Sequence, residues 1–253
     1  MTPGALGALP TPVLLHGFGT SARLWDAVLP LLDAEALTFD LPGFGENMKD
    51  IRYSVDGMAD AVWERVSGLD RFVLVGHSMG GKVAAVLASR RPAGLVGLLL
   101  LAPSPPSPEP MTDQGRADLK AAHGHPDRLR QHYRQIIRRD LRGDLLAQLV
   151  VDGTRGRRAA WDAWPDSGSR EDRAGETPNI QVPIAVLTSK GDPVITPAVV
   201  EQQLRPAFPE ARFQKLERSG HLIPLELPVE VARFLTTFLR TGENRIIQFS
   251  EKG

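Results

Sequence analysis

The sequence predicts an α/β fold class: a mostly parallel, doubly wound sheet interrupted by one helical insertion. Three observations predict it. Short apolar segments alternate with amphipathic ones along most of the 253 residues, a pattern that puts crossover helices on both faces of a parallel sheet. A Gly76-x-Ser78-x-Gly80 turn joins an apolar segment to an Ala/Val/Leu-rich one, as a strand feeding a helix would. From about 103 to 182 the alternation stops and the composition turns Pro-rich, then Arg-rich and helical, then polar.

The elements follow in order. Residues 13–15 read as a short apolar strand ending in His16-Gly17-Phe18-Gly19. A helix is expected over 21–32, with Leu24, Trp25, Val28, Leu31 and Leu32 on one side. Residues 36–39 form the next strand, closed by Asp40-Leu41-Pro42-Gly43. Ser54 serves as N-cap of a helix to about 69, with Met58, Val62 and Val66 four apart. Residues 72–75 are a buried strand, and the helix after Ser78 runs to about 89. Residues 95–101, 183–187 and 211–216 are the remaining strands, and 229–239 is a closing amphipathic helix. The expected organisation is a core of 1–103 and 179–253 with a helical cap, or lid, over 104–178.

Composition narrows the chemistry. Hydrophobic residues make up 42% of the chain, enough for a sizeable core. Thirty basic residues balance thirty acidic ones, so no global charge steers the chain to nucleic acid or to an anionic membrane. There is no cysteine, which rules out a disulfide framework and a thiolate nucleophile. The first dozen residues contain no Lys or Arg, unlike a signal peptide. The apolar run around 98–102 is far below the ~20 residues of a membrane helix. The expectation is a cytoplasmic protein, monomer or homodimer, acting on a small molecule without a metal or cofactor.

The serine turn carries the chemistry. Glycines at 76 and 80 remove the Cβ atoms that a sharp strand-to-helix turn would crowd, leaving the Ser78 hydroxyl at the strand end. A serine needs a base. Of six histidines, His77 must point away from Ser78, His16 fits a structural role at a strand end, and His123, His125 and His132 lie in the insertion. His221 remains, after the last strand. The base in turn needs an acid to orient it. Asp192, before Pro193 at the end of strand 183–187, fills that place; the rival Glu109 lies beyond four prolines. The oxyanion requires two donors. The Met79 N–H, at a helix start, and the Phe18 N–H, between two glycines, are the candidates.

At these residues the chain resembles the α/β-hydrolase superfamily. The resemblance rests on His16-Gly17-Phe18-Gly19, Asp40-Leu41-Pro42-Gly43-Phe44-Gly45, Gly76-His77-Ser78-Met79-Gly80-Gly81, Gly191-Asp192, and Gly220-His221 with Glu226-x-Pro228. It runs from about 13 to 240, is weakest in the insertion, and is closest to compact bacterial lid-bearing esterases, carbon–carbon hydrolases and the menaquinone-pathway lyase. It implies the Ser78–Asp192–His221 order and a hydrolase, by default a carboxylesterase. One departure is that the Pro-rich residues before 13 cannot form the hairpin usual in the family. Residues 245–249 could add an edge strand or fray.

Within the insertion, Tyr133, Ile136, Ile137, Leu141, Leu145 and Leu149 follow helical spacing from about 129, with Gly143 as the place where a helix could break. Arg130, Arg134, Arg138 and Arg142 recur every four residues. They form either a solvated face, the default for such runs, or an anion-binding wall in which Arg134 and Arg138 hold a substrate. Trp161 and Trp164 either line an acyl pocket or anchor the insertion to the core. The insertion is expected to set substrate choice and to leave the chemistry to residues outside it. Two function classes compete: turnover by a triad, and ligand reception on the same fold without turnover.

Overall fold

In the computed structural model, residues 9–141 and 143–242 are described. Six strands form one sheet: β1 (Thr11–Leu15), β2 (Leu37–Thr38), β3 (Phe72–His77), β4 (Leu95–Leu101), β5 (Ile184–Ser189) and β6 (Arg212–Leu216). Their order is β2-β1-β3-β4-β5-β6, and every pairing is parallel. The chain starts at β1, moves outward to β2, and crosses back to β3. Strand order therefore reverses between β1 and β3, the kind of switch point at whose carboxyl end ligands bind in open α/β sheets. The loops carrying Phe18 and Ser78 leave those two strands side by side, since Leu15 pairs with Gly76.

The central strands read as continuous apolar runs because both faces are covered; all six residues of β3 are buried. On one face lie α1 (Val55–Val66) and α2 (Met79–Ser89), with Met58, Val62, Val66, Val83 and Leu87 in one apolar cluster. Ser54 caps α1 as expected, its hydroxyl accepting the Gly57 N–H.

Four helices follow β4: α3 (Asp113–Ala122), α4 (Pro126–Ile136), α5 (Gly143–Arg155) and α6 (Arg158–Asp166). Short pieces α7 (Pro197–Val199) and α8 (Arg205–Ala207) lie between β5 and β6. After β6 come α9 (Ile223–Glu226) and α10 (Pro228–Thr241). Helix α10 covers the second face of the sheet, where Phe234, Leu235 and Phe238 join Trp25 and Val28.

Two expectations are corrected. Residues 21–32 do not form an α-helix; they make two 3₁₀ turns, Ala22–Trp25 and Leu29–Leu31. Pro30 has no N–H to continue a helix from the first turn, and Asp40 accepts the Ala22 N–H, fixing where that turn starts. Leu24, Trp25 and Val28 are buried as the spacing implied, but Leu31 is 45% exposed, so the apolar stripe does not run on. The helix expected from 129, with Gly143 as the place it could break, stops sooner. It ends at Ile136, where Ile137 turns extended (ψ 145°). Arg138 is thus off the helix that carries Arg130 and Arg134, and the four-residue stripe is broken. Arg142 and the tail 245–249 lie outside the described residues. Among the described residues, no helix is long and apolar enough to cross a membrane.

Candidate active site

The elbow is built by local sterics. Ser78 has φ 51° and ψ −121°, a conformation in which an L-residue is strained. The glycines on either side are there for space. A Cβ on Gly76 would lie 2.4 Å from the Gly80 carbonyl oxygen, and one on Gly80 would lie 2.4 Å from that of His16. Gly81 and Ser104 donate their N–H groups to the Ser78 carbonyl, and Ser78 donates its own to Leu101 at the end of β4. The hydroxyl is left at the carboxyl end of the sheet.

There it meets an imidazole. Ser78 Oγ and His221 Nε2 are 2.9 Å apart, and His221 Nδ1 is 2.9 Å from Asp192 Oδ2. The other Asp192 oxygen accepts the N–H groups of Val194 and Ile195, at 2.7 and 3.0 Å. An ionised carboxylate only accepts, so Nδ1–H points at Asp192 and leaves Nε2 to accept the serine proton. All three side chains are nearly closed to solvent. Burial by itself would lower His221, but the Asp192 carboxylate outweighs it, with Glu109 and Glu226 adding, and the imidazole is held above its ordinary value. Burial by itself would raise Asp192; His221 and the two backbone donors hold it below the usual carboxylate range.

His77 takes no part in that relay. Its Nε2–H donates to the His221 carbonyl, and burial pushes its pKa down to about 3. His16 sits under the first loop, with Nε2 accepting the Leu41 N–H and Nδ1–H donating to Gly17 O.

Met79 opens α2, so its N–H has no carbonyl one turn earlier in the helix. The loop bearing Phe18 is pressed against the elbow: a Cβ on Gly17 would lie 2.7 Å from His77 Nδ1 and 3.1 Å from Ser78 Cβ. The two candidate oxyanion donors therefore flank Ser78 from adjacent strands.

The insertion residues separate. The Trp161 ring lies against Phe18, centroids 4.5 Å apart, and its indole N–H donates to Leu119 O. Trp164 packs instead in the apolar cluster of the sheet face that carries α1 and α2. Arg134 and Arg138 are exposed. The Arg138 guanidinium donates to the Gln135 and Ile137 carbonyls at the end of α4. A cleft of about 720 Å³ lies between α3, α4 and the Pro193–Val194 turn, lined in part by Glu109, Arg128, His132 and Gln135.

Residues that the sequence analysis did not place in the site also join it. Tyr133 donates its hydroxyl to Gly19 O at 2.6 Å. Asp152 accepts from Ser21 Oγ and pairs with Arg23, just beyond the same loop. Buried Glu109 accepts from Ser104 Oγ. Glu226, quoted only as part of a motif, is buried beneath His221. A polar residue at an apolar register, as Tyr133 and Asp152 are, was the available signal.

A model described as the alpha/beta hydrolase family matches residues 13–234. The chain is 26% identical over 233 residues to the pimeloyl-[acyl-carrier protein] methyl ester esterase of Nitrosomonas europaea, covering 87% of this chain and 91% of that one. It is 25% identical over 267 residues to the biotin biosynthesis bifunctional protein BioHC of Teredinibacter turnerae, covering 93% of this chain and 45% of the relative. Against this and several other curated relatives, the chain spans less than half of their length. An esterase structure from Exiguobacterium antarcticum superposes with a TM-score of 0.83 at 18% identity, over 93% of each chain, which is a likeness of fold.

Proposed function

We propose that this chain, which belongs to the alpha/beta hydrolase family, is a serine hydrolase cleaving carboxylic esters of small to medium size through an acyl-enzyme. The observation that carries the reading is the unbroken line of contacts from Ser78 Oγ through His221 to Asp192. Similarity to proteins named methyl ester esterases supports ester chemistry.

Ser78 Oγ attacks the ester carbonyl while His221 Nε2 takes its proton. The carbonyl oxygen becomes an anion between the Phe18 and Met79 N–H groups. Asp192 stabilises the imidazolium and stays ionised. His221 then returns the proton to the leaving alcohol, the acyl group remains on Ser78, and a water activated by His221 releases the acid. In this reading the inserted helices form a lid over the site. Activation of the serine is what separates this reading from a ligand receptor on the same fold.

The test is covalent. An organophosphonate is expected to add to Ser78, located by peptide mass mapping, and Ser78→Ala is expected to lose about 10⁴–10⁶ in kcat on p-nitrophenyl esters with the fold retained. An adduct elsewhere, or a mutant keeping a tenth of wild-type activity, overturns it. Labelling of Ser78 with no turnover of any ester would move the reading to carbon–carbon bond cleavage.

A further inference from the structure

Glu226 sits in α9, five positions after His221, and is 5% exposed. Its Oε2 accepts three backbone N–H groups, from Gly220 at 2.8 Å, Arg138 at 2.9 Å and Arg139 at 3.1 Å. Its Oε1 accepts a fourth, from Leu222 at 3.1 Å. Two donors flank His221 in sequence; the other two belong to the segment that leaves α4. A separate bond joins the same pieces, because the His221 N–H donates to the Ile136 carbonyl at 2.8 Å. The fit is tight: a Cβ on Gly220 would lie 2.2 Å from Ile136 O and 3.0 Å from Glu226 Oε1. In its last turn, α4 also holds the first loop through Tyr133 and Gly19. One inserted helix thus spans the loop that carries the candidate oxyanion donor Phe18 and the loop that carries His221.

We infer that Glu226 is a positioning residue for His221, its carboxylate locking the loop 220–222 onto the end of α4 so that Nε2 faces Ser78. This rests on the triad reading above. Each oxygen meets only donors, which is why the residue is an acid. In glutamine, one of those oxygens becomes an NH₂, and in either orientation it faces at least one N–H that needs an acceptor. A loop free to shift by an ångström misplaces the base, and such misplacement costs on the order of 10²-fold in rate. The carboxylate also adds negative charge near the imidazole. Asp192 and Glu109 act in the same direction, while His77 at the end of β3 and His132 on α4 face the same imidazole.

The experiment compares wild type, Glu226→Gln and Ser78→Ala on p-nitrophenyl acetate from pH 5 to 9, with Tm for each. Glu226→Gln is expected to stay folded, hold KM within about twofold, and lose about 10–100-fold in kcat. Its acid limb should move to lower pH, since His221 loses a stabilising charge. Glu226→Asp keeps the charge on a shorter arm, so its limb should stay near wild type while kcat falls. A folded Glu226→Gln with wild-type kcat and limb overturns the proposal. So does a variant whose Tm falls while kcat and limb hold. Should Glu226→Gln not fold, Glu226→Asp decides: a lower kcat at constant KM supports the role, and wild-type kcat overturns it. A dead Ser78→Ala beside a normal Glu226→Gln sinks only the positioning role. Activity surviving in Ser78→Ala overturns the triad reading and the positioning role with it.

Discussion

The loops that present Ser78 and His221 meet at 2.9 Å, yet they are held in different ways. The elbow is largely self-contained. Its strained φ, the space around Gly76 and Gly80, and the Gly81 N–H all come from a stretch of a few residues, backed by the ends of neighbouring strands. The histidine loop borrows its geometry. Ile136, Arg138 and Arg139 of the insertion hold it through backbone groups, and Asp192 arrives from another strand. Ser78 is thus fixed by short-range sterics and His221 by long-range hydrogen bonds. The insertion, expected only to set substrate choice, is bonded into the loop that carries His221.

The comparison breaks most sharply at the acid. Asp192→Asn is expected to keep the fold and to lower kcat by up to about 10⁴, because an amide favours the wrong imidazole tautomer. The same substitution tests the pH dependence. His221 must be neutral to accept the serine proton, and its pKa is raised above 6.5, so wild-type kcat/KM should rise with pH through a midpoint above 6.5. Removing the Asp192 charge should move that midpoint down. Near-normal rates with an unmoved limb would place the acid elsewhere, with buried Glu109 the next candidate.

The two tryptophans sharpen it. Trp161→Ala and Trp164→Ala each remove a buried indole and should each cost about 3–5 kcal/mol in denaturant unfolding. Trp161 packs on Phe18 and below Gly19, so its loss should also lower kcat/KM, and more for long acyl chains than for acetate. Trp164 lies in the core, and its loss should leave the ranking of acyl chains alone. An equal change of ranking in both would mean that the insertion acts as one rigid wall.

The smallest effects belong to the exposed arginines. Arg134→Gln with Arg138→Gln should change unfolding free energy by no more than about 0.5 kcal/mol each and leave a neutral ester untouched. An anionic ester weakened severalfold or more, with the neutral one unchanged, would restore the anion-binding wall.

Much of this site could be read from the chain because its signals are local. A glycine that must lack a Cβ, a serine between two of them, an Asp-Pro turn and a Gly-His pair each carry their constraint within a few residues, and α1 carries its cap at Ser54. The order of the strands then brought those turns to one end of the sheet, because parallel crossovers place all the carboxyl ends together. Where the sequence misled, a distant partner had won. Periodicity ran a helix through Ile137 and Arg138, but the N–H groups of Arg138 and Arg139 are satisfied by Glu226, far along the chain, and residues 21–32 yielded to Pro30 and Asp40. The sequence by itself determined which residues could be nucleophile, base and acid, since covalent chemistry and Cβ sterics are properties of the residues. Only the tertiary structure decided where His221 points, because a backbone N–H has no identity in sequence and reveals its acceptor only when the chain has folded around it.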